Sequence, residues 1–406
     1  MRTRLGGLVL VLVIAAGSGC GSSSSPGTPD EGYAQYDPTA QLLRGPWLTP
    51  AGPGAVTVSW STDQPARSLV DYGPAATYGT QAVGTVLQPA PEDSGETPTA
   101  GWQHRVTVTG LDPELVYHYR VASLAAPTAD ATLRAAAAPG RSFNFVIFGD
   151  VRTQTAIHQE VVDAIVGEAP EVVLNTGDLS TAGGVEDEWN TFFSIERDLL
   201  GSTPYLPVYG NHEDVLGRTL FDTYWPAPPG ARSPRTYSTD WGKVHITVLD
   251  RYKDDLASVA AWLQADLASP AAQAADLRLV SLHNPLYTFS NHTPDLEARA
   301  ALWPILTAGG VRLVATGHNH AYERFFVDGI QVVVAGGGGA PLYTTDDHVV
   351  AAEASLRRVA ASQYHYVSAA ASATGYRFEA KPVPAGAALD CFVIDPAQPG
   401  VDVGCP

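Results

Sequence analysis

The sequence predicts two folded domains in series, a β-sandwich over residues 42–138 followed by a layered α/β domain over 141–396. Three observations carry this expectation. The chain has 406 residues, more than one average domain, and its 45% apolar composition is enough to fill two cores. From 42 to 138, short runs of alternating apolar and polar residues are divided by Gly and Pro, the pattern of half-buried strands. Beyond the Ala/Pro/Gly stretch 135–141, mostly apolar strand-like runs alternate with helical spacing, the pattern of strands covered by helices.

Arg2 and Arg4 precede an apolar run over 8–16, and small Gly17, Ser18 and Gly19 lead to Cys20. This reads as an export signal, because the run is too short to span a bilayer. Ending on Cys20, segment 1–20 resembles a bacterial lipoprotein signal, in which the cysteine is lipidated and becomes the mature N-terminus. The alternative is an ordinary secretory signal with an incidental cysteine. Ser, Pro and Gly then make 21–41 a flexible tether. The expected location is the cell envelope, periplasmic or outer-surface, or else secreted, with membrane contact only through the anchor. In an exported protein the two remaining cysteines, Cys391 and Cys405, are expected to pair and close a terminal loop. Residues 397–406 read as a C-terminal tail. The 42 acidic against 24 basic side chains give a formal charge of −18, which repels polyanions and argues against a nucleic-acid surface.

In the first domain Val56, Val58 and Trp60 alternate with polar residues, and 68–73 and 105–109 repeat the habit. The run Leu111-Asp112-Pro113 followed by Tyr117 and Tyr119 resembles the corner of fibronectin type III domains, where a phenol ties two strands together. Residues 88–101, full of Pro, Glu and Thr, read as a long surface loop.

In the second domain the predicted strands are 143–148, 171–175, 205–209, 244–249, 277–282, 311–315 and 331–335. Ile157, Val161 and Ile165 mark one face of a helix, and 256–267 reads as another. Five short motifs follow such strands: Gly149-Asp150, Gly177-Asp178, Gly210-Asn211-His212-Glu213, the run ending at His283, and Gly317-His318-Asn319-His320. Loops beyond strand ends are where ligand sites of open α/β sheets collect. Together the motifs offer two carboxylates, one amide oxygen and three imidazoles, donors suited to hard or borderline cations. Taken singly, each has a duller reading as a turn or a core histidine. Their ordered set is what points to a metal centre.

These motifs, with Leu179-Ser180 after the second Gly-Asp and Ala321-Tyr322-Glu323-Arg324 after the fifth, resemble the calcineurin-like metallophosphoesterase superfamily and in particular purple acid phosphatases. The resemblance implies a fibronectin-like N-terminal domain joined to a four-layer αββα catalytic domain. It implies two metal ions, Fe, Mn or Zn. Asp150, Asp178 and His320 would bind one, and Asp178, Asn211, His283 and His318 the other, with Asp178 bridging. It makes His212 the phosphate contact and proton donor to the leaving group, and a metal-activated hydroxide the nucleophile. Glu213, Asp214 and Glu323 are expected to orient the imidazoles.

Two positions depart from the family. Arg152 stands where related enzymes have a histidine ligand, and Thr181 where purple acid phosphatases have the tyrosine that gives them colour. Guanidinium is no donor to a cation, so Arg152 is read as a phosphate clamp and His158 as a candidate replacement ligand; otherwise His158 is a surface residue. His292 is a candidate substrate contact or a mobile surface histidine. Gly336 to Gly339 lack the Lys-Ser/Thr of a phosphate loop and are read as structural. The expected activity is hydrolysis of a small phosphate ester, monoesters before diesters. The competing reading is a degenerate surface protein with a vestigial site.

Overall fold

A computed structural model describes residues 37–87, 100–216 and 220–405. The expected signal over 1–20, Cys20 within it, tether residues 21–36 and loop residues 88–99 lie outside the described residues.

The N-terminal domain is a sandwich of two four-stranded antiparallel sheets. One runs Leu42–Pro50, Val56–Thr62, Trp102–Val108, Thr85–Leu87; the other Thr80–Val83, Leu69–Gly73, Tyr117–Val121, Ala131–Leu133. Val56, Val58 and Trp60 point between the sheets and meet Val70, Val106, Val108 and Tyr119. The corner is tied by Tyr117, whose phenol oxygen accepts the Asp112 amide at 3.0 Å. Tyr119 is fully buried, and its hydroxyl donates to the Gly201 carbonyl of the second domain at 2.6 Å.

The second domain has two seven-stranded sheets facing each other. In the first, Tyr205–Pro207, Val172–Asn175 and Phe143–Phe148 are parallel and continue into the antiparallel strands His365–Ser372, Gly375–Pro382, Asp390–Ile394 and Val403–Gly404. In the second, Val244–Val248, Leu277–Ser281, Leu313–Thr316 and Ile330–Ala335 are parallel, flanked by antiparallel Tyr237–Trp241, Tyr322–Val327 and Arg357–Ala361. Phe145, Ile147 and Leu174 meet Ile246, Leu279 and Val333 between the sheets. The outer faces are covered by helices: Thr155–Glu168 and Glu186–Ile195 on one side, Leu256–Leu267 and Leu296–Ala308 on the other. Four layers, αββα, result. With both faces covered, the parallel strands are largely apolar, and Val172–Asn175, Val244–Val248 and Ile330–Ala335 are buried throughout, polar His245, Thr247 and Gln331 included.

The domains share a core. Trp47, on the first sandwich strand, inserts among Phe193, Tyr224 and Trp225 of the second domain. Beside it the Arg44 guanidinium pairs with Glu186 and donates to Asn190 Oδ1 at 2.6 Å.

The expected tail over 397–406 requires correction. Val403–Gly404 adds an edge strand to Asp390–Ile394, and a disulfide joins Cys391 to Cys405 with Cα atoms 5.4 Å apart. Between them Asp402 accepts from Arg324 at 2.8 Å and Arg358 at 2.6 Å. Those arginines lie on strands of the other sheet, so this end of the chain locks the two sheets together.

Candidate metal centre

The five motifs converge at the carboxyl ends of adjacent parallel strands. Asp150 follows Phe143–Phe148, Asp178 follows Val172–Asn175, and Asn211 follows Tyr205–Pro207 in one sheet; His283 and His318 follow Leu277–Ser281 and Leu313–Thr316 in the other. The turns hold one another. Asp150 N–H donates to the Gly177 carbonyl at 2.9 Å, Val151 N–H to Asp178 at 3.2 Å, and Gly317 N–H to His283 at 3.0 Å. Asp150, Asp178 and His318 take left-handed backbone angles, φ 56°, 60° and 67°. For non-glycine residues that costs on the order of 1 kcal/mol each, a strain that persists where surroundings enforce it and that clusters at functional sites. Gly336 to Gly339 pack beneath these turns. A Cβ on Gly336 would lie 2.2 Å from the Asn319 carbonyl, and one on Gly338 2.4 Å from that of Gly149, so the run is a close-packing device.

Donor atoms of Asp150, Asp178 and His283 all lie within 4.8 Å of one another. Asn211 Oδ1 is 3.1 Å from His283 Nε2 and 3.0 Å from His318 Nδ1, and His283 Nε2 is 3.3 Å from Asp178 Oδ1. His320 Nε2 is 3.6 Å from Asp150 Oδ1.

Three backbone carbonyls fix the tautomers. Nδ1 of His283 donates to Thr176 at 2.8 Å, that of His320 to Pro341 at 2.7 Å, and that of His212 to Thr181 at 2.6 Å. For His283 and His320, Nε2 therefore turns a lone pair into the site. Burial lowers the pKa of His283, and takes His318 down to about 2 and His320 to about 4. All three are neutral at ordinary pH, the state in which imidazole binds a metal. Burial and the neighbouring Asp178 push the Asp150 carboxyl well above the usual range. Two buried carboxylates this close resist double ionisation unless positive charge lies between them. Inward lone pairs facing an amide oxygen and a carboxylate make the Asp178, Asn211, His283 and His318 set a good fit to a cation.

Other sequence expectations fare variously. Arg152 enters the cluster, with Nε 3.2 Å from Asp178 Oδ2. His292 lies over it, its ring stacked on His318 at 4.2 Å. His158 is neither ligand nor surface residue. It is buried on the helix Thr155–Glu168, and its Nε2 bonds Glu196 Oε1 at 3.0 Å because helix spacing turns it toward the same apolar layer as Val161 and Val162.

The carboxylates expected to orient imidazoles do not do so. Glu213 accepts four backbone amides, from Gly210, Asp178, Leu179 and Ser180, at 2.8 to 3.2 Å. It thereby clamps the Asp178 turn to the Asn211 turn. Asp214 meets Tyr209 and Lys253. Glu323 takes the Thr288 hydroxyl and the Phe289 amide, anchoring the loop that carries His292. Carbonyls do the orienting because the ligand loops pass close to neighbouring strand ends.

One neighbour escapes sequence reading. Tyr343 stacks on His320 with ring centres 4.0 Å apart. It belongs to no motif, and no spacing marks it.

Comparison with known proteins gives two family matches: residues 143–322 match the calcineurin-like phosphoesterase model and 45–134 the purple acid phosphatase N-terminal domain. Purple acid phosphatase 18 of Arabidopsis thaliana is 30% identical over 302 residues, covering 68% of this chain and 64% of its own length. The chain thus spans under two thirds of that relative. Among solved structures, a purple acid phosphatase from yellow lupin seeds superposes with a TM-score of 0.75 at 18% identity, over 88% of this chain and 74% of that one. PhoD superposes at 0.62 and 12% identity, over 93% and 94%. At these identities the structural likeness concerns the fold.

Proposed function

The chain carries a calcineurin-like phosphoesterase domain behind a purple acid phosphatase N-terminal domain, and on that premise we propose that it is an exported, metal-dependent phosphoric ester hydrolase acting on small monoesters. One observation carries the reading: imidazole lone pairs, an amide oxygen and two buried carboxylates face a common centre. Asp178, Asn211, His283 and His318 would hold the metal, with Fe, Mn and Zn all suited to that mixed set. A bound ion there supplies Lewis acidity toward a phosphoryl oxygen and acidifies water.

The chain's own residues account for the rest. His212 has its backbone N–H on Asp178 Oδ1 at 3.0 Å and its Nδ1–H on Thr181, leaving Nε2 as the atom that, in the imidazolium form, would pass a proton to the leaving oxygen. Arg152 and His292 border the same space and would contact a phosphate or its ester group. Diesters are the second substrate class to test. Signal-like residues 1–20 motivate the proposed export and lipid anchoring at Cys20.

The test is hydrolysis of p-nitrophenyl phosphate and of bis-p-nitrophenyl phosphate by protein loaded with Mn, Zn or Fe. Metal-stimulated turnover that disappears in Asp178→Asn is expected. No turnover of either ester, with no metal retained, would leave a non-catalytic binding protein as the better reading.

A further inference from the structure

One of the two positions expected for an ion already faces a permanent cation. The Arg152 side chain is 14% exposed, and its Nε donates to Asp178 Oδ2 at 3.2 Å. Its Nη2 lies 3.3 Å from His320 Nε2. Because His320 gives its Nδ1–H to Pro341, Nε2 is the acceptor, so the guanidinium takes the lone pair that an ion would use. Nη1 reaches Thr153 Oγ1 at 3.3 Å, holding the fork in place.

Other donors near that side are engaged elsewhere. At position 181 a threonine contributes its carbonyl to His212, and its N–H goes to Glu188. His158 is spent on Glu196. Asp150 accepts the His318 amide on both oxygens, at 3.0 and 2.9 Å. Asp150, Asp178 and His320 are left on that side, and two of these three already bond Arg152. The other side differs, since Asn211 Oδ1, His283 Nε2 and His318 Nδ1 face one another with no cationic side chain among them.

We propose that Arg152 replaces one ion, so that the chain holds a single resident metal at Asp178, Asn211, His283 and His318. This rests on the metallophosphoesterase reading of the site. The guanidinium supplies positive charge against Asp150 and Asp178. It accepts no water as a ligand. Its N–H groups instead suit the oxygens of a phosphate. Arg152 thus links the shared aspartate to the substrate, where a second ion would otherwise do so.

The experiment counts ions. Purified protein is saturated with Mn²⁺ or, separately, Zn²⁺, desalted, and its metal measured by mass spectrometry. One ion per chain is expected for the wild type and for Arg152→Lys, which keeps the charge and guards against a folding failure. Arg152→His, which removes the fixed charge and offers a donor, is expected to bind about twice as much. With Mn²⁺ the wild type should give the EPR spectrum of an isolated ion, and Arg152→His that of an exchange-coupled pair. Two ions in the wild type overturn the proposal while leaving the phosphoesterase reading intact. None in the wild type overturns both. An Arg152→His protein that still holds one ion removes the guanidinium as the excluding group and overturns the proposal alone.

Discussion

The backbone carbonyl of Thr181 accepts the Nδ1–H of His212 at 2.6 Å. Residue 181 is where the resemblance to purple acid phosphatases fails, yet its main chain sets the tautomer of the proposed proton donor. Side-chain replacement and backbone role are independent at this position.

Because that contact leaves Nε2 free, His212→Ala should lower kcat on p-nitrophenyl phosphate by ~10²- to 10⁴-fold. The metal content should stay unchanged, since His212 lies outside the proposed ligand set. Parallel kinetics and metal analysis check both halves, and a loss of metal would turn His212 into a ligand.

Protein loaded with Fe(III) should lack the intense visible band of an iron–phenolate. Thr181 offers no phenol, and burial raises the pKa of Tyr343, which keeps its hydroxyl protonated beside His320. An absorption spectrum decides this. A strong band that vanishes in Tyr343→Phe would assign Tyr343 as a ligand.

His245 is buried between Asp240 at 2.7 Å and Asp266 at 3.1 Å. Burial opposes its charge, but the hydrogen bonds to these carboxylates win and raise its pKa to about 9. A raised histidine stabilises fully below its unfolded value of about 6.5 and loses that contribution as pH climbs through the folded value. Thermal stability should therefore fall between about pH 6.5 and 9. After discounting for half-exposed Asp240, the expected loss is on the order of 1–3 kcal/mol. His245→Gln should flatten that slope in a Tm-versus-pH series, and an unchanged slope would place the titration elsewhere.

Trp47 is 1% exposed and packs against Phe193 with ring centres 4.7 Å apart. Trp47→Ala should cost about 3–5 kcal/mol, the range for emptying a large buried site. Since this ring is shared by both domains, calorimetry should show one unfolding transition for the wild type and two for the variant. A single transition in both would mean that Arg44 with Glu186 and Tyr119 with Gly201 suffice to couple them.

Most of the second domain's parallel strands were legible because burial on both faces makes them largely apolar, and Leu256–Leu267 because its inward positions recur at helical spacing. The antiparallel strands after residue 356 were not. His365–Ser372 is largely Ala and Ser, and Arg357–Ala361 pairs arginine with alanine, so neither carries a strong period. Helix Leu296–Ala308 contains Pro304, which breaks the usual signal of a continuous helix.

For the site, the sequence by itself determined which chemistry is present. Five motifs at strand ends name the carboxylates, amide and imidazoles, and a parallel sheet delivers its strand ends to one edge wherever its loops lead. Only the tertiary structure decided how those groups are used. Which carbonyl holds each imidazole, that Glu213 clamps two turns, that His158 faces the core, and that Arg152 reaches both Asp178 and His320 all depend on contacts across 21 to 168 residues of chain. Local sequence encodes a donor's identity; its partner is fixed by the packing of distant segments, which no short pattern records.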